Sequence, residues 1–297
     1  MTKGPKEINL EDWKKAGKIT AEGLEFGRGL VKDGIKLLEV AEKIEAMIKE
    51  KDAMPAFPVN ISMNEIAAHY TPSKDDETIF EDQLVKLDIG VVYKGAIGDS
   101  ACTIDLSGGR HKNLVQASID ALNAAIKAIK PGVELREIGA EVEKAIAAHG
   151  FKPIRNLSGH ELKEFDLHAG LNIPNFDNND TTKLEKGMFL AIEPFATTGA
   201  GLIEETTNPQ IFRLEGTARV RTPFGRKVLE EIEQFHGLPF AKRWLKEKGA
   251  DFGLREIKQS RVLREYTPLV EVNKGVVSQA EHTVYVDEEG AVVLTKL

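Results

Sequence analysis

Residues 84–106, LVKLDIGVVYKGAIGDSACTIDL, limit most strongly what this chain can fold into. Two apolar, β-branched runs flank Tyr93-Lys94-Gly95, where the glycine tolerates a positive φ, so the segment predicts a β-hairpin. Each arm carries one aspartate, Asp88 and Asp99. One register sets them directly opposite. The other, with Lys94-Gly95 as a two-residue loop, makes them diagonal neighbours. Both put the carboxylates on one face, roughly 5–8 Å apart. Like charges so close destabilise a sheet unless a cation lies between them, so the pair points to a metal site. The alternative is two solvated aspartates on an exposed face.

Other segments add weight to the metal reading. Glu193 lies in FLAIEPF and Glu281 in SQAEHTVYV, both strand-like runs in which an unpaired carboxylate is costly to bury. His69 (AAHYTP), His160 (NLSGHEL) and His168 (DLHAG) are the nearby imidazoles. Four carboxylates and a neutral imidazole balance a pair of divalent first-row cations. The residues alone do not say which histidine ligates.

Apolar spacing predicts helices over 10–31, along the stripe Leu37, Ala41, Ile44 and Ile48, over 111–129 and over 134–148. Strands are predicted over 187–196 and in a second hairpin, 276–297, turning at Asp287–Gly290. Residues 209–266 differ in charge, +5 against −12 for the remainder of a −7 chain. Pro223 opens a helical run to His236, Gly237 stops it, and a shorter helix over 239–248 is expected to end at Gly249. This is a basic, mostly helical insert between two strand regions of an acidic body. At 41% hydrophobic, the 297 residues can bury a sizeable core, which excludes disordered and collagen-like chains. The single cysteine, Cys102, is expected to be a small buried hydrophobe on the sheet face opposite Asp99. It forms no internal disulfide, which fits a reducing compartment. The start, MTKGPKEINLEDW, has no apolar secretory core, and no run of about 18 apolar residues spans a bilayer. The expectation is a cytoplasmic protein that engages no membrane.

Five segments together resemble the type II methionine aminopeptidases of the short archaeal kind, metalloexopeptidases with the pita-bread fold. They are FPVNISMNEIAAHYTP (57–72), KLDIGVVYKGAIGDSACTIDL (86–106), SGHELKEFDLHAG (158–170), AIEPFATTGAG (191–201) and YTPLVEVNKGVVSQAEHTVYV (266–286). The resemblance implies an α+β fold, a pseudo-symmetric antiparallel sheet covered by helices. It assigns 1–208 and 267–297 to the catalytic domain and 209–266 to the insert subdomain of type II enzymes. It implies two divalent ions (Co, Mn, Fe or Zn): Asp88 chelates one, Asp99 and Glu281 bridge the pair, and His160 and Glu193 complete the ligand set of the other ion. His69 and His168 then contact substrate, Glu193 also shuttles a proton, and Phe57, Leu167, Phe195, Tyr266 and Leu269 line a methionine pocket. The implied activity is removal of initiator methionine from nascent polypeptides, favouring a small second residue, by a hydroxide bridging the two ions. The implied partners are nascent N-termini, and a monomer is expected. Separately, the +5 charge of the insert on a −12 body suggests docking on ribosomal RNA, against the alternative of a solvated helical face that shapes the substrate pocket. Prolidase and aminopeptidase P relatives share the ligands but usually carry a large N-terminal domain, whereas only about 55 residues precede the 57–72 segment that ends in AAHYTP. A non-catalytic binding protein is the third reading, and retention of all five ligands weighs against it.

Overall fold

The computed structural model describes residues 9–297; residues 1–8, which hold most of the polar start read above, lie outside that range. Helix α1 (Leu10–Leu30) begins where the Asn9 side chain accepts the Glu11 N–H at 3.3 Å. Its buried face includes Gly17, Gly23 and Gly27. A Cβ built on Gly17 would lie 2.4 Å from the Leu294 carbonyl oxygen, and one on Gly98 would lie 2.8 Å from Gly17 Cα. Glycine therefore lets α1 lie flush on the sheet. Helix α2 (Leu37–Glu50) buries the predicted stripe, Leu37, Ala41, Ile44 and Ile48, against the same sheet.

The hairpin consists of strands Leu84–Tyr93 and Ala96–Asp105, with Lys94 (φ 52°) and Gly95 (φ 98°) as the two-residue turn. Gly90 pairs with Asp99 and Asp88 with Ala101, so the aspartates are diagonal neighbours on one face, the second of the two registers. Cys102 is half-buried on the opposite face, among the apolar residues under α1 and α2.

The second half repeats the order of helix pair and sheet. Helices α3 (Lys112–Ala128) and α4 (Leu135–Ala148) follow, the latter opened by a capping box between Glu134 and Glu137. They bury Leu114, Ala121, Leu135, Ile138 and Ile146 with Leu190, Val284 and Val286 of a five-stranded antiparallel sheet. Its order is Ala291–Val293, His282–Val286, Phe189–Ile192, Ser158–Leu162, Asn172–Pro174.

The single strand expected over 187–196 is divided. Phe189–Ile192 stays in the five-stranded sheet, and after Glu193-Pro194 the chain enters a three-stranded sheet as Phe195–Thr197. The cause is Pro194, which cannot donate to a ladder and breaks the run. The C-terminal segment divides in the same way. Val277–Gln279 pairs with Phe195–Thr197, and His282–Val286 pairs with Phe189–Ile192, so Glu193 and Glu281 both stand where two paired strands change sheets.

The segment 209–266, expected as a mostly helical insert, also departs from expectation. It contains helices α5 (Pro223–Glu233) and α6 (Ala250–Gln259) and a three-stranded sheet of Phe240–Ala241, Ile211–Leu214 and Leu263–Tyr266. No helix covers 239–248. Phe240 is fully buried in a ladder opposite Phe212, and one 3-10 turn, Lys242–Trp244, follows. Gly249 precedes a helix rather than ending one. Its φ is −95°, and a Cβ there would lie 2.3 Å from the Phe224 ring, so the glycine serves close packing and not a left-handed stop. Among the described residues no helix is long and apolar enough to cross a membrane.

Candidate metal centre

The fold brings Asp88, Asp99, His160, Glu193 and Glu281 to one cavity of about 440 Å³. The hairpin supplies the two aspartates and Ser158–Leu162 supplies His160. The two sheet-switch points supply the glutamates. The last strand region is sewn to the hairpin beside them: Glu281 N–H donates to Ala101 O (3.0 Å), and Asp99 N–H donates to the Thr283 hydroxyl (2.7 Å).

Ligand atoms of Asp99, His160 and Glu281 all lie within 4.8 Å of one another. His160 Nε2 is 3.5 Å from Glu193 Oε1 and 3.8 Å from Asp99 Oδ2. Such spacings are long for hydrogen bonds and suit donors that share a cation. Asp99, His160 and Glu281 are buried, and Asp88 and Glu193 are half-buried in the cavity wall. Burial raises the carboxyl pKa of Asp88 to about 6. It also raises Asp99, Glu193 and Glu281 well above the usual range, and the neighbouring carboxylates push each of them further. Glu281 Oε2 is buried and has no hydrogen-bond partner among the described residues. Four crowded acids, one of them with a lone oxygen aimed at nothing, fit a divalent metal and little else. Burial lowers the His160 pKa to about 4, so the imidazole is neutral and able to ligate.

His69 and His168 stand on the cavity wall. Desolvation against the cavity wall lowers half-buried His69 to about 4 and holds His168 well below its usual value, the latter also through its neighbours His160 and His69, so both are neutral. The His160 and His168 ring centroids are 4.5 Å apart. His69 has φ 63°, a left-handed backbone that costs a histidine about 1–3 kcal/mol and persists only where surroundings enforce it. Phe57, Leu167, Phe195 and Tyr266 line the same cavity, and Tyr266 lies edge-on to both Phe57 and His69. Leu269 does not line it. It pairs with Ala68 and is buried in the apolar cluster behind Phe195, because its strand, Leu269–Glu271, turns that side chain into the layer beneath.

Sequence reasoning passed over three residues. Gln279 Nε2 donates to Asp88 Oδ2 (3.1 Å) and reaches Glu193 Oε2 (3.5 Å), tying two of the acids together. Its place two residues before Glu281 was the available signal. Arg264 reaches the cavity rim over the Tyr266 ring, 4.9 Å from its centroid. Glu271 is fully buried and accepts backbone N–H groups from Ala200, Gly201 (3.1 Å), Asn273 (2.8 Å) and Gly275 (2.9 Å), which pins the loops behind both switch points.

Residues 11–288 match the profile of metallopeptidase family M24. A methionine aminopeptidase of Archaeoglobus fulgidus is 45% identical over 95% of this chain and 97% of its own length. One from Methanothermobacter thermautotrophicus is 41% identical over 97% and 99%. The crystal structure of a Thermotoga maritima methionine aminopeptidase superposes with a TM-score of 0.70 at 27% identity, covering all of this chain and 99% of that one. A Pyrococcus furiosus prolidase shares the fold at 19% identity and TM-score 0.64, but this chain covers only 65% of it.

Proposed function

The chain belongs to metallopeptidase family M24 and has its pita-bread fold, and from that premise we propose that it is a methionine aminopeptidase, a hydrolase that removes N-terminal methionine. One observation carries the reading: four crowded carboxylates and a neutral histidine converge beside an apolar wall in one cavity. Asp88, Asp99, His160, Glu193 and Glu281 would hold two divalent ions. Ions held there supply Lewis acidity to a scissile carbonyl and acidify water.

The protein's own groups do the rest. Phe57, Leu167, Phe195 and Tyr266 offer an unbranched thioether an apolar seat. A chain terminus differs from an internal residue by its free amine, whose pKa of about 8 leaves a neutral fraction at working pH, and the acid-rich floor is the part of the cavity that selects it. His69 and His168, neutral, can donate a hydrogen bond to the carbonyl oxygen as it gains charge. Glu193 takes a proton from water and returns it to the leaving nitrogen in this reading.

The archaeal relatives and the 209–266 insert support a type II assignment, and a small second residue belongs to the same proposal. The substrates are nascent chains in the cytoplasm, met by a monomer. Exposed Arg219, Arg221, Arg226 and Lys227 on the insert favour docking on ribosomal RNA, and co-sedimentation that survives charge reversal of these four would refute it. Hydrolysis of Met-Ala-Ser against a Xaa-Pro dipeptide, before and after chelation and paired with elemental analysis, tests the whole. Methionine release that stops on chelation is expected; exclusive Xaa-Pro cleavage refutes it in favour of a prolidase.

A further inference from the structure

The backbone of His69 is strained, and nothing within the residue relieves it: φ is 63°, and the residue is half-buried on the cavity wall. On the upstream side, Ala68 is paired with Leu269. On the downstream side, Ile61 N–H donates to Tyr70 O (2.8 Å), and the Thr71 hydroxyl donates to Val59 O (2.8 Å). That hydroxyl has a second partner from a distant part of the chain. Arg243 Nη1, on the 3-10 turn of the insert, donates to Thr71 Oγ1 (2.8 Å) and to Pro72 O (3.1 Å).

Arg243 is itself held. Its Nη2 forms an ion pair with Glu45 of α2, with both side chains about 5% exposed. Glu45 also accepts Trp244 Nε1 (2.7 Å) and the Val59 N–H (3.4 Å). One planar guanidinium thus joins α2, the insert and the two residues that begin two positions beyond His69. A second arginine makes a weaker parallel contact: Arg213 reaches Asp166, two residues before His168, at 3.3 Å, but Asp166 is 42% exposed and the pair is screened.

We infer that Arg243, anchored by Glu45, is a positioning residue for His69, so that the insert sets the aim of one of the two cavity histidines. This rests on reading His69 as a substrate contact. A two-pronged donor is needed because one side chain must satisfy Glu45 while also reaching Thr71 and Pro72, which lysine cannot do at once.

Arg243→Lys keeps the charge beside Glu45 and loses the fork, which makes it the informative variant. In the metal-loaded enzyme it should lower kcat on a Met-Ala-Ser peptide about 5- to 20-fold, with KM and bound metal unchanged. In a His69→Ala background the same change should cost less than 2-fold, because a residue acting through His69 has nothing left to position. Thr71→Val removes only the hydroxyl link and should follow the same pattern more weakly, which keeps the inference testable should Arg243→Lys fold poorly. Arg213→Lys should alter kcat by less than 2-fold. In spectra of 13C-labelled histidine, Arg243→Lys should shift the His69 ring signal and leave those of His160 and His168 in place. Equal losses with and without His69, or an unmoved His69 signal, overturn the inference. Were the wild-type protein to cleave no Met-peptide, the functional reading would fail, while the His69 resonance would still decide the positional one.

Discussion

Neutralising Asp88 should make the metal-free protein more stable and the metal-loaded protein less so. In the absence of metal, Asp88 is a half-buried carboxyl raised from its ordinary 3.8 to about 6, chiefly by desolvation. A carboxyl whose folded pKa is raised contributes its full stability below pH 4 and loses it as pH climbs through 6. By pH 7.5 that difference represents about 3 kcal/mol of folding free energy withheld from the wild-type chain. Asp88→Asn removes that cost and keeps an oxygen to accept from Gln279. It also lifts repulsion from Asp99, Glu193 and Glu281, all of which feel Asp88. With about 2 °C per kcal/mol for a chain this long, Tm in excess chelator at pH 7.5 should rise by about 6 °C. At pH 4 the gain should shrink below about 1 kcal/mol, because the wild-type group is then protonated in the fold. Added divalent metal should reverse the order, stabilising wild type far more than the variant. Scanning calorimetry of both proteins, with chelator and with metal at the two pH values, gives the comparison. If Asp88→Asn is no more stable than wild type in chelator at pH 7.5, or gains as much from metal, the acids are not held together by a cation.

Three further outcomes follow from geometry. Glu271→Gln sets an amide NH2 against two of the four backbone donors and removes the charge from the other two bonds, which should cost about 2–4 kcal/mol by chemical denaturation. Gly17→Ala gains about 1 kcal/mol of helix propensity but sets a Cβ 2.4 Å from Leu294 O, so the variant should be less stable, by about 1–3 kcal/mol net; a higher Tm would show that α1 can lift from the sheet. His168→Ala should lower turnover by about 10²-fold with full metal content by elemental analysis, whereas His160→Ala should lose metal and activity together.

How much the sequence disclosed depends on the range of the interaction that decides each element. The hairpin was readable because its signal is local: alternating apolar residues, a glycine turn, and a parity that put Asp88 and Asp99 on one face in either register. Helices α1 to α4 were equally plain from their stripes. The 187–196 segment was misread because a strand that changes sheets looks, locally, like one long strand; only Pro194 hinted at the break. Residues 239–248 were misread because Phe240 answers to Phe212, 28 positions away, and periodicity within a window cannot register that partner. Among the site residues, charged groups in apolar runs stood out. Glu271 did not, since a carboxylate satisfied by four backbone amides leaves no mark on its neighbours in the sequence. Leu269 failed for the opposite reason: it resembles a pocket residue in type, and one pleat decides which layer receives it.

The positions of Glu193 and Glu281 at paired sheet crossings have a consequence for how the enzyme is assembled. Asp88 and Asp99 come from the first half, His160 and Glu193 from the second, and Glu281 from a strand that docks on both. No fragment of the chain owns the whole proposed ligand set, so an ion held there would work as a clasp across the seam between halves. Metal uptake should therefore report closure of that seam, and two separately made halves should remain metal-poor until they recombine.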